Sequence, residues 1–220
     1  MLDWGWLADH GPALLYRTGQ HLYLAAIAVV AGLVISFTLG VLATRRRRLI
    51  LPFAFLADLV YTIPSIAMFA ALVSIVGLSV LTAEIPLVLY TLVILFRNVV
   101  AGFDAVPADV RDAADAMSYA GVARLVRVEL PLAVPLIVAG VRVATVSTIG
   151  LVTISALLGD TFGGLGFFIF EGARRGFATE IYAGAIPTIA LALVADRVFV
   201  VIGAWLTPWD RGVSREVVAA

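Results

Sequence analysis

The sequence Asp112-Ala113-Ala114-Asp115-Ala116-Met117-Ser118, followed after nine residues by Val128-Glu129-Leu130-Pro131, is a short charged stretch in an apolar chain. Of the 220 residues, 62% are hydrophobic and 14% are charged, whereas a typical soluble domain has about 25% charged residues. The mean hydropathy is +1.07. This composition is typical of a membrane protein with several spans, and the quoted stretch is expected to lie between two of them.

The charged and metal-binding residue types argue against several functions. The 15 basic residues are all arginine and are balanced by 15 acidic ones, so the chain has no excess of positive charge for nucleic-acid binding. It contains no cysteine, which removes disulfides and thiolate metal sites. His10 and His21 both lie near the N-terminus, so an intramembrane hydrolase that uses a histidine is not favoured.

Hydropathy predicts an all-α bundle of about five membrane helices, since each span needs about 20 apolar residues. The expected spans are residues 21–43, 51–78, 85–103, 132–158 and 181–206. They define a transmembrane domain over residues 21–206, an external segment over residues 1–20 and a cytoplasmic tail over residues 207–220. Within the external segment, residues 2–16 suit a short interfacial helix or a partial sixth span.

The distribution of arginine favours an N-out, C-in topology, because cytoplasmic loops carry the excess of positive charge. With the N-terminus outside, the external segments hold only Arg17, Arg174 and Arg175. The inner loops and tail then hold Arg45, Arg46, Arg47, Arg48, Arg111, Arg124, Arg127, Arg211 and Arg215. The loop over residues 104–131, which contains the quoted stretch, is therefore expected on the cytoplasmic side.

This cytoplasmic loop is expected to begin with a helix over residues 107–118. Its small and apolar residues recur at helical spacing and form one narrow stripe: Val110, Ala113, Ala114 and Met117. Helices that lie on a bilayer use bulky apolar residues, and burying alanine in lipid gains little. Small residues permit close approach to a protein groove, so docking onto a partner is favoured over anchoring on the membrane surface.

The stretch resembles the EAA motif of ABC-importer permeases, which reads Glu-Ala-Ala, three residues, Gly, nine residues, Ile, one residue, Leu-Pro. Asp112 takes the glutamate place and Ser118 the glycine place, while Leu130-Pro131 closes the motif at the same spacing. The resemblance implies a coupling helix that sits in a groove of a partner ATPase. The residues assigned to this coupling site are Val110, Asp112, Ala113, Ala114, Met117, Ser118, Gly121, Glu129, Leu130 and Pro131.

Over about residues 20–200, the chain resembles more closely the permeases of osmoprotectant importers, which carry glycine betaine, carnitine, choline or proline. The matching stretches include Thr62-Ile63-Pro64-Ser65, Arg97-Asn98, Ala139-Gly140-Val141-Arg142, Thr148-Ile149-Gly150, Gly163-Gly164-Leu165-Gly166 and Ala183-Gly184-Ala185-Ile186-Pro187. The resemblance implies a type I ABC-importer permease fold in the cytoplasmic membrane of a prokaryote. A permease for another small solute, such as methionine, and a non-transporting scaffold remain alternatives.

The same resemblance implies the partners. A second permease subunit, identical or paralogous, would complete the membrane part, and an external solute-binding protein would deliver the substrate. Two cytoplasmic ATPase subunits would bind ATP and Mg²⁺, so no cofactor is expected in this chain. Gly163, Gly164 and Gly166 are not followed by the Gly-Lys-Ser/Thr of a phosphate-binding loop.

Ionisable residues inside the spans are costly and need partners. The candidates for a polar network or a translocation path are Asp58, Tyr61, Pro64, Ser65, Arg97, Asn98, Arg142, Asp196 and Arg197. We expect ion pairs in preference to direct substrate contact, for instance Asp58 with Arg142 or Arg97 with Asp196. Aromatic faces for a quaternary ammonium group could come from Tyr61, Phe69, Tyr90 and Phe96, although aromatic residues in spans more often serve packing.

Two further expectations concern the shape of the chain. Pro64 falls inside the second predicted span and Pro187 inside the fifth, and each should bend its helix. Gly163, Gly164 and Gly166 should form a tight outer turn that faces the binding protein or the outer gate, with a plain flexible loop as the alternative.

Overall fold

A computed structural model describes residues 2–159 and 162–211, and within these ranges every regular element is helical. The α-helices are α1 (Trp4–Asp9), α2 (Gly11–Arg45), α3 (Ile50–Thr62), α4 (Ser65–Val76), α5 (Val80–Asp104), α6 (Ala108–Ala116), α7 (Gly121–Arg124), α8 (Leu130–Ile154), α9 (Gly166–Arg175) and α10 (Ala178–Leu206). A π-helical turn, Leu125–Glu129, joins α7 to α8. Short 3-10 segments lie at Arg47–Leu49, Ser155–Leu158 and Pro208–Arg211. The part of the predicted tail over residues 212–220 lies outside the described residues.

Four helical segments in the described ranges are long and apolar enough to cross a membrane, and a fifth is broken. The four are Gly11–Arg45, Val80–Asp104, Gly121–Leu158 and Ala178–Leu206. The fifth consists of Arg47–Thr62 and Ser65–Val76, which meet at 93°. The predicted all-α bundle of about five spans is confirmed.

The second span differs from the prediction, because the chain breaks where only a bend was expected. Pro64 has no N–H, and its ring excludes the helical conformation from the residue before it. Ile63 is accordingly extended, with φ −71° and ψ 125°, and helix α3 stops at Thr62. Ser65 then begins α4 in a new direction. Pro187, in contrast, lies within the continuous helix α10.

The first span begins earlier than predicted. Helix α2 starts at Gly11, with Pro12 in its first turn, and not at His21. Its 35 residues give a length of about 52 Å, more than the ~30 Å apolar layer of a bilayer. Residues 2–16, which suited one interfacial helix, are divided between α1 and the first turns of α2.

The short helix α1 is fixed against the end of the bundle by aromatic contacts. The ring of Trp6 stacks on His10 at 4.0 Å between centroids and meets Phe168 and Phe177 edge-on at 6.0 and 5.7 Å. The backbone N–H of Asp3 donates to Thr179 Oγ1 at 2.9 Å. The N-terminal helix is therefore packed on α9 and α10.

Glycine allows helices α2, α5 and α8 to approach closely. A Cβ at Gly32 would lie 1.9 Å from Thr91 Oγ1, and one at Gly140 would lie 2.4 Å from Asn98 Cβ. No side chain fits at either position, so the backbones of α2 and α8 lie directly against side chains of α5, as small residues permit in membrane bundles. One cluster of the buried core consists of Leu24, Ala25, Ala28, Phe69, Leu87, Ile149 and Val152.

Two glycines of α8 provide a test of this packing. We expect Gly140→Ala to lower the thermal stability of the detergent-purified protein by several degrees, because the added methyl group meets the Cβ of Asn98 and the helices must separate. Gly150→Ala has open space around the new methyl group and should be neutral or slightly stabilising, since alanine favours helix. Equal melting temperatures for the two variants would contradict the close approach of α5 and α8.

Candidate functional site

Helix α6 carries the predicted docking stripe. It follows Pro107, and Asp109 lies in its first turn, where the helix dipole favours an acid. Ala113 is exposed and Met117 is 65% exposed, but Ala114 is only 1% exposed and Val110 is half-buried. The structure therefore divides the stripe. Ala113 and Met117 lie on the exposed surface of the protein, whereas Ala114 packs against its interior.

At the end of α6, Ser118 occupies the glycine place of the motif. Ser118 has a φ of +64°, which is the left-handed region that glycine adopts most easily. The N–H of Tyr119 donates to Ala114 O at 3.0 Å, and the N–H of Ser118 to Asp115 O at 2.9 Å, which closes the helix. Ser118 thus adopts a backbone conformation that glycine favours, at a cost of about 1–2 kcal/mol relative to glycine.

A buried carboxylate joins the loop to the base of the bundle. Glu129, which is 7% exposed, places Oε1 3.0 Å from Arg124 Nε and Oε2 3.7 Å from Arg45 Nη2. Arg124 Nη1 also lies 2.6 Å from Asp115 on α6. Arg45 Nη2 donates to Gly121 O at 3.1 Å. Charges therefore connect α6, α7, the π-helical turn and the C-terminal end of α2.

Two further contacts hold the loop to the end of α5. Arg111 on α6 donates from Nη2 to the backbone carbonyl of Phe103. Arg47, in the 3-10 segment after α2, lies 2.9 Å from Asp104 Oδ1 through its Nη2. The arginine run after the first span therefore contributes to the same charged cluster as the loop.

The charges within the spans pair differently from the prediction. Arg97 Nη2 lies 2.6 Å from Asp58 Oδ1, and Arg142 Nε lies 2.5 Å from Asp196 Oδ1. The two pairings offered from sequence are therefore wrong, because each acid holds the other arginine. Arg197 is exposed beside Asp196. The amide nitrogen of Asn98 donates to Ile94 O at 2.8 Å.

A polar cleft of about 300 Å³ opens beside the break in the second span. Its lining includes Tyr61, Pro64, Ser65, Tyr90, Thr91, Ser147 and Thr148. The rings of Tyr61 and Tyr90 meet edge-on at 5.8 Å between centroids, and the hydroxyl of Tyr90 donates to Ile63 O. The extended residue before Pro64 therefore supplies the carbonyl that positions an aromatic wall of the cleft.

The cleft and the ion pairs belong to one open face of the bundle. A second cleft of about 400 Å³ shares Ser147 with the first and reaches Arg142 and Asp196. Arg97 follows Ile94, a lining residue of the first cleft, by one helical turn, and its side chain is 59% exposed. Charged groups are costly against lipid, so this face requires water or a protein partner.

The glycine-rich turn near the opposite end is packed against α2, α8 and the 3-10 segment Ser155–Leu158. A Cβ at Gly163 would lie 2.6 Å from Ala156, one at Gly166 would lie 2.2 Å from Thr153 O, and Gly164 has a φ of +49°. The N–H of Gly164 donates to Gln20 Oε1 at 3.0 Å. The glycine-rich segment is therefore a tight turn that lies against α2 and α8.

His21 holds this turn from within the bundle. The side chain is fully buried, Nδ1 lies 3.3 Å from the N–H of Leu165, and Nε2 lies 2.9 Å from Ile149 O. The neutral Nε2–H tautomer satisfies both contacts, because Nδ1 then accepts and Nε2 donates. His21 thereby links α2 and α8 to the turn that precedes α9.

The comparisons with known proteins establish the class. Residues 32–210 match the family described as binding-protein-dependent transport system inner membrane component. The chain belongs to this family, whose members are multi-pass membrane components that work with an ATPase and a binding protein. The match covers the clefts, the charged cluster and the loop with α6.

Two relatives show the extent of the likeness. The chain is 34% identical over 211 residues to the glycine betaine/carnitine/choline transport system permease protein OpuCB of Bacillus subtilis, and the alignment covers 96% of each chain. It is 35% identical over 208 residues to the osmoprotectant import permease protein OsmW of Salmonella typhimurium, covering 92% of this chain and 96% of that one.

Solved structures support the fold. A chain of the methionine ABC transporter MetNI, in an inward-facing conformation, matches with a TM-score of 0.79 at 20% identity. The match covers 88% of this chain and 96% of that one. The predicted type I importer permease fold is therefore confirmed.

Sequence reasoning missed several members of these sites. Arg45 and Arg124 were counted only for topology, although a buried acid such as Glu129 requires a cationic partner. His21 was considered only as a possible catalytic group. Helix α9 was not predicted, although Glu171 precedes Arg174 and Arg175 there by three and four residues, the spacing of ion pairs on a helix.

The Glu129 contact predicts local protection of the loop. In Glu129→Gln, Arg45 and Arg124 lose their shared negative charge, and the loop should open more often. We expect amide hydrogen exchange in residues 108–129 to become about 10-fold faster, which corresponds to about 1.4 kcal/mol. Asp104→Asn, which removes a more exposed ion pair, should change the exchange by less than about 2-fold. Equal effects of both substitutions would contradict a special role of Glu129.

Proposed function

We propose that this chain is the permease subunit of an ATP-driven importer for osmoprotectants, such as glycine betaine, choline, carnitine or proline. The observation that carries the proposal is the 34% identity over 96% of both chains to a glycine betaine/carnitine/choline permease. The polar cleft with its two tyrosine rings suits a quaternary ammonium group, which aromatic faces attract.

The proposed orientation places the loop with α6 in the cytoplasm and the N-terminus outside. The arginine run and the loop meet at one end of the bundle through Arg45–Glu129 and Arg47–Asp104, and cytoplasmic ends are rich in arginine. Helices α1 and α9 lie together at the other end, where an external binding protein would deliver the substrate. The glycine-rich turn, which precedes α9, would face that protein or the outer gate.

In this proposal α6 is the coupling helix. A partner ATPase dimer holds ATP and Mg²⁺. One of its two subunits binds the exposed surface around Ala113 and Met117. The movement of α6 reaches α2 and α8 through the ion pairs of Asp115, Arg124 and Glu129. Since α8 lines both clefts, a shift of α6 changes the shape of the path, as a two-state transporter requires.

The open face with the two ion pairs is the proposed contact with a second permease subunit, identical or paralogous. The translocation path would run between the two subunits, along the clefts lined by Tyr61, Ser65 and Ser147. The ion pairs Arg97–Asp58 and Arg142–Asp196 would stay structural, since each charge already has a partner. Arg197 and Asn98 would border the same path.

Uptake into proteoliposomes tests the proposed function. The permease is purified with the ATPase and the binding protein that co-purify with it, and ATP-dependent uptake of labelled glycine betaine, choline, carnitine and proline is measured. Uptake of at least one of the four compounds is expected. ATP-dependent uptake of methionine, with none of these four imported, would favour the alternative of an amino-acid permease.

The exposed part of the stripe predicts where coupling is lost. Ala113→Trp should abolish uptake and the stimulation of ATP hydrolysis by loaded binding protein, because a bulky side chain blocks the groove contact while the bundle stays folded. Ala108→Trp is the matched control, since Ala108 is exposed on the same helix but about 140° around it. Normal uptake by Ala113→Trp, or equal loss in both variants, would contradict docking through this surface.

A further inference from the structure

A small charged cavity lies between α6 and the end of the bundle. Its volume is about 90 Å³, which is room for several water molecules or for one small oxyanion. The charged residues of its wall are four arginines and two acids: Arg45, Arg47, Arg111, Arg124, Asp104 and Glu129. The wall therefore carries more positive than negative charge.

The acids around this cavity do not balance its arginines. The two acids of the wall already form the ion pairs Arg47–Asp104, Arg124–Glu129 and Arg45–Glu129. A third acid, Asp115, reaches Arg124 from α6. Three carboxylates thus face four guanidinium groups, and like charges enclosed together favour an anion between them.

Arg111 is the arginine of the wall that has no acid. Its Nη2 donates to the backbone carbonyl of Phe103, but no carboxylate of the described residues lies within 4 Å of it. Its Nε is buried and has no hydrogen-bond partner in the described part of the chain. A buried donor without an acceptor is costly, and a guanidinium group presents its donors in a fork that matches the oxygens of a phosphate group. Arg111 therefore offers both a charge and an unused donor to an anion in the cavity.

The cavity lies on the side of α6 that faces away from the proposed docking surface. Arg111 is about 160° around the helix axis from Ala113 and about 60° from Ala114, which is buried against the bundle. The other three arginines come from the end of α2, the 3-10 segment that follows it, and α7. An anion in the cavity would therefore connect α6 to the bundle and leave the surface around Ala113 free.

We propose that this cavity binds a phosphate group, which bridges Arg111 to Arg45 and Arg47 and holds α6 on the end of α2. The phosphate group has two possible sources, inorganic phosphate and the headgroup of a membrane phospholipid. The cavity lies where the first span ends, and basic pockets between the ends of spans suit lipid headgroups. The site goes beyond the proposed function and does not depend on the substrate. Its consequence, tighter coupling of α6 to the bundle, rests on the proposed function.

Hydrogen exchange tests the site on the full chain. The protein is delipidated in dodecyl maltoside, which contains no phosphorus. Amide exchange in residues 108–129 is then measured at one pH and one ionic strength while sodium phosphate replaces sodium chloride. A ligand that binds only the closed loop slows exchange by the factor 1 + [L]/Kd, so phosphate at ten times its Kd should slow it about 10-fold. In Arg111→Gln the effect of phosphate should fall below about 2-fold.

Two further variants separate binding from a structural role. Arg111→Gln also loses the contact with Phe103, which can speed exchange by itself, but a purely structural role leaves the effect of phosphate unchanged. Arg127→Gln is the matched control, because Arg127 is an exposed arginine of the same loop outside the wall of the cavity, and it should keep full protection. Asp104→Asn removes a negative charge from the wall and should lower the Kd of phosphate at least ~3-fold. This variant decides the question if Arg111→Gln does not fold.

Nanodiscs distinguish the two sources of the phosphate group. If a lipid headgroup fills the cavity, the ratio of exchange rates between Arg111→Gln and the wild type rises about 10-fold in phospholipid nanodiscs above its value in phosphate-free detergent. If the ratio rises only when inorganic phosphate is added, the ligand is the free anion.

The same ratio in detergent, with added phosphate and in nanodiscs would overturn the proposal. Equal loss of protection in Arg127→Gln and Arg111→Gln, or phosphate binding that Asp104→Asn leaves unchanged or weakens, would also overturn it. None of these results bears on the proposed function, because that function is tested by uptake. Conversely, a chain that binds phosphate here but imports none of the four osmoprotectants refutes the proposed function alone.

Discussion

The carboxylate of Glu129, held between Arg124 and Arg45, is the contact on which the rest of the proposed mechanism depends. It is buried at the point where the loop becomes α8, so its charge must be compensated inside the protein. The two arginines that compensate it come from α7 and from the end of α2. Because Arg124 also holds Asp115, the loop cannot move as a separate flexible segment without breaking these contacts.

A second constraint acts within the spans, where the charges are paired before any partner arrives. Arg97–Asp58 connects α5 to α3, and Arg142–Asp196 connects α8 to α10. Paired charges are less costly on a face that borders water or protein than on one that borders lipid. The open face therefore has a chemical character distinct from the exposed apolar surfaces of α2 and α10, which suit contact with lipid chains.

The sequence predicted the helical bundle, the approximate spans and the position of α6, because hydropathy and the spacing of the motif do not depend on tertiary contacts. It did not predict the partners of Asp58 and Asp196, since the pairing depends on how each helix is rotated about its axis. The break at Ile63 was predicted only as a bend, because a proline can kink a helix or end it according to its surroundings.

The docking stripe shows the same limit at a finer scale. Ala113 and Ala114 are about 100° apart around the helix axis. A face wide enough to hold both also spans the boundary between the protein interior and its surface. The structure places that boundary between them, since Ala114 is 1% exposed and Ala113 is exposed. The predicted role in docking is thereby narrowed to Ala113 and Met117.

Helix α2 connects the two ends of the molecule. At one end Arg45 contacts Glu129 and Gly121; at the other, His21 and Gln20 hold the glycine-rich turn. These anchors are 24 residues apart in a continuous helix, about 36 Å along its axis. A helix packed through Gly32 against α5 has little freedom to bend between them, because no space remains at the contact. Displacement of the loop would therefore reach the glycine-rich turn through one rigid element, which the proposed coupling between a docking event and a gate can use.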